Sequence, residues 1–131
     1  MSSPRQSAGI LGVFTVAVPV RDQDAALDFY TSALGLTVRY DGELREGFRW
    51  IDVAPPGDGT SLALVRAEDG LPAGVDTGVR LTTQDAAADH RALTAAGVDV
   101  DPLLLWDAAP PMFSFRDPDG NTLYVTESPT G

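Results

Sequence analysis

The hexapeptide Gln23-Asp24-Ala25-Ala26-Leu27-Asp28 returns 61 residues later as Gln84-Asp85-Ala86-Ala87-Ala88-Asp89. At the same offset, Asp58-Gly59-Thr60-Ser61-Leu62 matches Asp119-Gly120-Asn121-Thr122-Leu123. Two separate matches at one spacing read as two copies of a supersecondary unit of about 60 residues. At 131 residues the chain is then one domain, or two half-domains sharing a core.

Each copy runs in the same order. Ile10 to Val20 alternates Val16, Val18 and Val20 against Thr15, Ala17 and Pro19, the period-two pattern of a half-buried strand. Gln23 to Leu34 has helical spacing at Leu27, Tyr30 and Leu34, with Asp22 placed as N-cap and Gly35 as the stop. Strands follow at Thr37–Tyr40, Phe48–Val53 and Ser61–Val65, with Pro55-Pro56-Gly57-Asp58-Gly59 as a turn. The second copy predicts a strand over Val79–Thr83, a helix over Asp85–Ala96, and strands near Leu103–Trp106, Met112–Phe115 and Thr122–Thr126.

The fold class is therefore α+β: two tandem βαβββ modules forming a curved mixed sheet around a concave pocket, with the helices outside. The expected divisions are a flexible N-terminus over 1–9, a first module over 10–66, a linker over 67–74, a second module over 75–127 and a flexible C-terminus over 128–131.

Composition removes several classes of chemistry. The chain has nine arginines, no lysine and no cysteine, so Schiff-base catalysis, a phosphate-loop lysine and thiol nucleophiles are absent. A net charge of −10 without a basic patch argues against nucleic acid. The run from Ile10 to Val20 is too short to span a bilayer and lacks a convincing cleavage site, which leaves no membrane role and a cytoplasmic location as the expectation. The single histidine, His90, rules out a two-histidine metal site within one chain. Lying one turn from Ala86 and Leu93, it points to the covered side of the sheet, and with no nucleophile elbow present hydrolase chemistry is set aside.

Val18-Pro19-Val20-Arg21-Asp22, followed by Ala26-Leu27-Asp28-Phe29-Tyr30, Leu34-Gly35-Leu36 and the late run Phe115-Arg116-Asp117-Pro118-Asp119-Gly120-Asn121, resembles the vicinal oxygen chelate superfamily. That group includes glyoxalase I, extradiol dioxygenases, fosfomycin-resistance enzymes and bleomycin-resistance binding proteins. The resemblance covers roughly residues 10 to 127 and fixes the fold rather than an activity. The Asp-Pro-Asp-Gly-Asn run itself reads as a hairpin turn without chemistry.

Where the family has chemistry, the resemblance implies a divalent metal held by four side chains on the concave face, from the first and fourth strands of each module. Registering the motifs puts those positions at Thr15, Ala63, Gly78 and Tyr124. Ala63 and Gly78 carry no donor, Thr15 is a weak one, and Tyr124 would have to ionise. No metal and no cofactor are expected.

With those positions vacated, the ligand-binding candidates are Thr15, Ala17, Trp50, Asp52, Ala63, Gly78, Arg80, Trp106 and Tyr124, with Ser61 and Thr126 beside them. Small residues leave volume and aromatic rings supply stacking area. Asp52 is read as a partner of Arg80 or as a group that recognises a ligand's positive charge. The resulting expectation is a metal-independent protein that sequesters an aromatic or cationic small molecule, with a homodimer implied by the resemblance. The alternative is an enzyme of the same fold, a lyase, isomerase or cyclase using Tyr124, Arg80 and Asp52 in acid–base and oxyanion roles. A metal-dependent glyoxalase or dioxygenase ranks behind both.

Overall fold

The computed structural model describes residues 7–57 and 59–128. Of the ends expected to be flexible, 1–9 and 128–131, residues 1–6 and 129–131 lie outside the described residues, as does Asp58 of the first turn. The elements are β1 (Thr15–Val20), α1 (Gln23–Asp28) continued by a π-helical turn (Phe29–Ala33), β2 (Thr37–Arg45), β3 (Phe48–Ala54), β4 (Ser61–Arg66), β5 (Asp76–Thr83), α2 (Ala86–Ala95), β6 (Asp99–Val100), β7 (Met112–Arg116) and β8 (Thr122–Glu127). They form two four-stranded mixed sheets, β1-β4-β3-β2 and β5-β8-β7-β6, in which β1 runs parallel to β4 and β5 parallel to β8. Among the described residues no helix is long and apolar enough to cross a membrane.

Alternation along the strands sets which face is buried. Val18, Val20, Ile51, Val53, Leu62 and Leu64 of the first sheet join Phe113, Phe115, Leu123 and Val125 of the second in one apolar cluster, together with Tyr30 and Leu93 from the helices. The residues between them face the other way and form the polar face of each sheet.

Both helices start on an aspartate, because a carboxylate satisfies the first unpaired backbone N–H groups. Asp22 accepts from the Ala25 N–H at 3.1 Å and Asp85 from the Ala88 N–H at 3.0 Å. These caps show that the helix match at offset 61 is out of register with the fold. Asp22 corresponds to Asp85 and Tyr30 to Leu93, two residues further on, while Ser61 of β4 still corresponds to Thr122 of β8.

The two extra residues sit in β5, where the pairing jumps from Asp76↔Thr122 to Arg80↔Tyr124. Gly78, with φ of +70°, lies in that bulge. In the first module β1 pairs with β4 without interruption. The π turn then restores one residue of the offset: the Leu36 N–H reaches back six residues to the Tyr30 carbonyl, whereas Val98 reaches back five to Leu93. The Thr31 hydroxyl bonding back to the Leu27 carbonyl at 2.7 Å loosens the helix at this turn.

Two sequence expectations are corrected. The first strand begins at Thr15 rather than Ile10, and Ile10, Leu11, Val13 and Phe14 are exposed outside the sheet. The strand expected near Leu103–Trp106 is absent. The sixth strand is Asp99–Val100, and the following segment pairs only through an isolated Leu104–Met112 bridge, since Pro102, Pro110 and Pro111 interrupt a regular ladder.

Candidate functional site

The run Asp117-Pro118-Asp119-Gly120-Asn121 is more than the hairpin turn expected from sequence. Asp117 Oδ1 accepts from the backbone N–H groups of Asp119 and Asn121, both at 2.9 Å. Its Oδ2 accepts from the Tyr30 hydroxyl at 2.7 Å and from Asn121 Nδ2 at 3.1 Å. Asn121 Nδ2 also donates to the Pro19 carbonyl at 2.7 Å, and Asp119 Oδ1 accepts the Arg21 N–H at 2.8 Å. A buried polar knot thus ties the end of the chain to β1 and α1. It leaves the opposite, polar faces of both sheets for binding.

On the first sheet, neighbouring strands bring Ala17, Ala63, Asp52 and Tyr40 into one row. Asp52 is 7% exposed and has no cation beside it among the described residues. The hydroxyls of Thr15 and Ser61 approach its Oδ1 at 3.3 and 3.4 Å, and Ser61 donates to Thr15 at 2.8 Å. Both hydroxyls reach Oδ1, and among the described residues no hydrogen bond reaches Oδ2. Trp50 shares this face and is half-buried, while Arg49 reaches the helix side, to Asp24 at 2.7 Å. Ala63 is fully buried and contributes no functional atom.

On the second sheet the matching row is Arg80, Tyr124, Ser114 and Asp101. The Arg80 guanidinium lies 4.3 Å over the Tyr124 ring, the Tyr124 hydroxyl donates to Asp76 at 2.6 Å, and Asp76 also accepts the Gly78 N–H at 3.0 Å. The hydrogen bond to Asp76, aided by burial, raises the phenol above its ordinary value, and the same bond holds Asp76 below the usual carboxylate range. Beyond it, Arg116 grips Asp101 at 2.8 Å and Asp99 at 3.0 Å, and the Ser114 hydroxyl bonds Asp101. Arg116 first, then Ser114, lowers Asp101 to about 2.

The structure does not bring the two sets together. Among the described residues no hydrogen bond or ion pair joins Asp52 to Arg80, so the expected pairing is not made; Asp52 takes the hydroxyls of its own sheet instead. Trp106 is 59% exposed on the segment before β7 and touches neither set through a ring contact. His90 packs edge-on against Phe113 at 5.1 Å and bonds the Asp101 carbonyl at 2.8 Å, away from the polar face.

Tyr40, Asp76, Asp101, Ser114 and Arg116 were missed in the sequence. Ser114 and Arg116 follow by alternation once Phe113 and Phe115 are core. Asp76 was hidden by the bulge, which makes it, rather than Gly78, the ladder counterpart of Thr15.

The positions that the resemblance assigns to a metal do not make a ligand set. Thr15 is engaged with Asp52 and Ser61, Ala63 has no donor, Gly78 is a backbone bulge, and the Tyr124 proton is held by Asp76. Adding Asp76 brings one carboxylate, and among the described residues no three His, Cys, Asp or Glu side chains are grouped to hold an ion. Three surface hollows measure about 340, 710 and 300 Å³; the first sits between the end of the π turn and α2, lined by Leu34, Leu36, Leu81 and Leu93, and the second reaches Asp99 and Arg116 from the helix side.

Residues 12–125 match the model of the glyoxalase/bleomycin resistance protein/dioxygenase superfamily. The chain belongs to this superfamily. A superfamily member from Sphaerobacter thermophilus is 35% identical, with a TM-score of 0.85 over 91% of this chain and 98% of that one. TnmS3, an antibiotic binding protein from Streptomyces sp. CB03234, is 36% identical, with a TM-score of 0.83 over 92% and 98%. The fosfomycin resistance protein FosX from Listeria monocytogenes shares the superfamily fold at 14% identity and a TM-score of 0.72, over 91% and 94%. No curated protein matches the chain by sequence.

Proposed function

We propose that the protein is a metal-independent small-molecule binder that sequesters a toxic or biosynthetic compound in the cytoplasm. The observation that carries this reading is a pair of polar sheet faces that carry recognition groups and, among the described residues, no metal ligand set. Asp52 Oδ2 and Trp50 stand on one face, the Arg80–Tyr124 stack on the other. The 36% identity to an antibiotic binding protein supports the same class.

In one chain the two faces make no contact through these residues, so the full pocket forms in a homodimer, where the first sheet of one copy meets the second sheet of the other. This joins Asp52 and Trp50 to Arg80 and Tyr124 around one ligand. The ligand is a flat aromatic compound, held by ring stacking and a few placed polar groups.

A panel of aromatic compounds, neutral, cationic and anionic, tests the reading by quenching of tryptophan fluorescence. Saturable quenching by at least one compound, weakened in Trp50→Ala, is the expected result. Silence across the panel contradicts it. Sedimentation should give twice the 13.8 kDa chain mass; a monomer that still binds would retain the function and remove the shared pocket.

A further inference from the structure

Among the described residues Arg80, like Arg39, Arg45, Arg66 and Arg91, makes no ion pair with a carboxylate, although the chain carries a net charge of −10. Arg21, Arg49 and Arg116 lie 3.5, 2.7 and 2.8 Å from Asp119, Asp24 and Asp101 respectively. Among the described residues Arg80 forms no ion pair. Its Nη1 donates to the Gly78 carbonyl at 2.9 Å, and among the described residues no other donor of the fork has a hydrogen-bond acceptor. The acid beside it, Asp76, accepts from the Tyr124 hydroxyl and the Gly78 N–H, and it feels the Arg80 charge without reaching ion-pair distance.

The arginine is held in place despite its exposure. The β5 bulge folds the strand so that Asp76 and Arg80, both bonded to the Gly78 backbone, meet Tyr124, and the guanidinium stacks 4.3 Å from that ring. A guanidinium fixed in this way keeps its planar fork pre-organised for a two-oxygen or single-oxygen anion. The matching positions of the first module are Ala17 and Ala63, so the feature arises where the two copies differ.

We propose that Arg80 reads an acidic oxygen, a carboxylate or phenolate, on the flat aromatic ligand. This rests on the binding reading above and names the chemistry of its ligand. A carboxylate conjugated to a ring is coplanar with it; gripped edge-on by the fork, it lays the ring over the same sheet face, toward Ser114 in the next strand. The cationic ligand considered from sequence is then disfavoured at this end of the site by like charge.

Calorimetric titration with 2-naphthoate and its neutral near-isostere 2-naphthamide tests the proposal. Wild-type protein should bind the acid about tenfold more tightly than the amide, a margin that narrows as salt is raised. Arg80→Gln should remove the preference, so that acid and amide bind with equal affinity, and Arg80→Lys, which keeps charge but loses the fork, should retain a smaller one. Arg80 is exposed, so both variants should keep the wild-type melting temperature. Equal binding of acid and amide to wild type, or a preference that survives Arg80→Gln, overturns the proposal and leaves the binding reading intact. No binding of either compound by a protein that binds other aromatics also overturns it, and no binding of any aromatic removes both.

Discussion

The Tyr30 hydroxyl donates a 2.7 Å hydrogen bond to the Asp117 carboxylate, 87 residues further along the chain, and both side chains are buried. This bond and those of Asn121 join the two modules on the side away from the polar faces. Tyr30→Phe, which removes a bond to a buried charge, should cost about 1.5–3 kcal/mol in urea unfolding. Asn121→Ala should cost about 3 kcal/mol or more, because it also strands the Gly74 and Val75 N–H groups that bond its Oδ1.

The same pair predicts an alkaline limit. Burial first, and the Asp117 charge second, push the Tyr30 phenol far above its ordinary value of about 10. Above pH 10 the unfolded chain releases this proton and the folded chain does not, so stability is complete below that pH and declines as pH rises past it. Unfolding free energy measured from pH 9 upward should fall less steeply in Tyr30→Phe than in wild type.

Asp101 gives the acid counterpart. Arg116 holds it at about 2, below its ordinary 3.8, so its contribution is present above pH 4 and disappears as pH falls toward 2. Carboxyl NMR titration should find Asp101 moved up toward the ordinary range in Arg116→Ala, short of it while the Ser114 hydrogen bond remains, and the variant's acid-unfolding midpoint should lie at higher pH.

Much of this was legible in the sequence, for identifiable reasons. The alternation of Val16, Val18 and Val20 fixed the face of Thr15 and Ala17, and Ile51 and Val53 fixed that of Trp50 and Asp52. What a repeat at constant offset could not show was the change in spacing. The β5 bulge and the π turn each alter it, and a lone Gly78 or Thr31 in the sequence does not announce the backbone hydrogen bonding that makes them. The six-residue helix match therefore placed equivalent residues two positions apart. The Tyr30–Asp117–Asn121 knot was equally hidden, since a good turn sequence explains those residues without any long-range contact. Trp106 is an aromatic in an apolar run that reads as a strand, and the prolines on either side of it explain why no strand forms.

Gly78→Ala tests the bulge. The space around a Cβ there is open, but φ of +70° strains any L side chain, and the substitution should cost about 1–2 kcal/mol. Chemical shifts of Arg80 and Tyr124 should move in the variant while those of Asp52 and Thr15 stay in place, because the two faces are separate within a chain.

Asp52→Asn should remain folded, since an amide oxygen still accepts from Thr15 and Ser61. It should lose affinity for ligands that present an N–H or positive charge to the first sheet, as measured by calorimetry against wild type, and leave that for purely anionic ligands little changed.

The most direct test of the central claim is the affinity of chelator-treated protein for an aromatic compound that it binds, measured again after addition of Zn²⁺, Ni²⁺ or Mn²⁺. The expected result is one dissociation constant throughout, weakened about tenfold in Trp50→Ala. Binding that appears only when a metal is restored, or that ignores Trp50, Asp52 and Arg80 alike, would contradict the account.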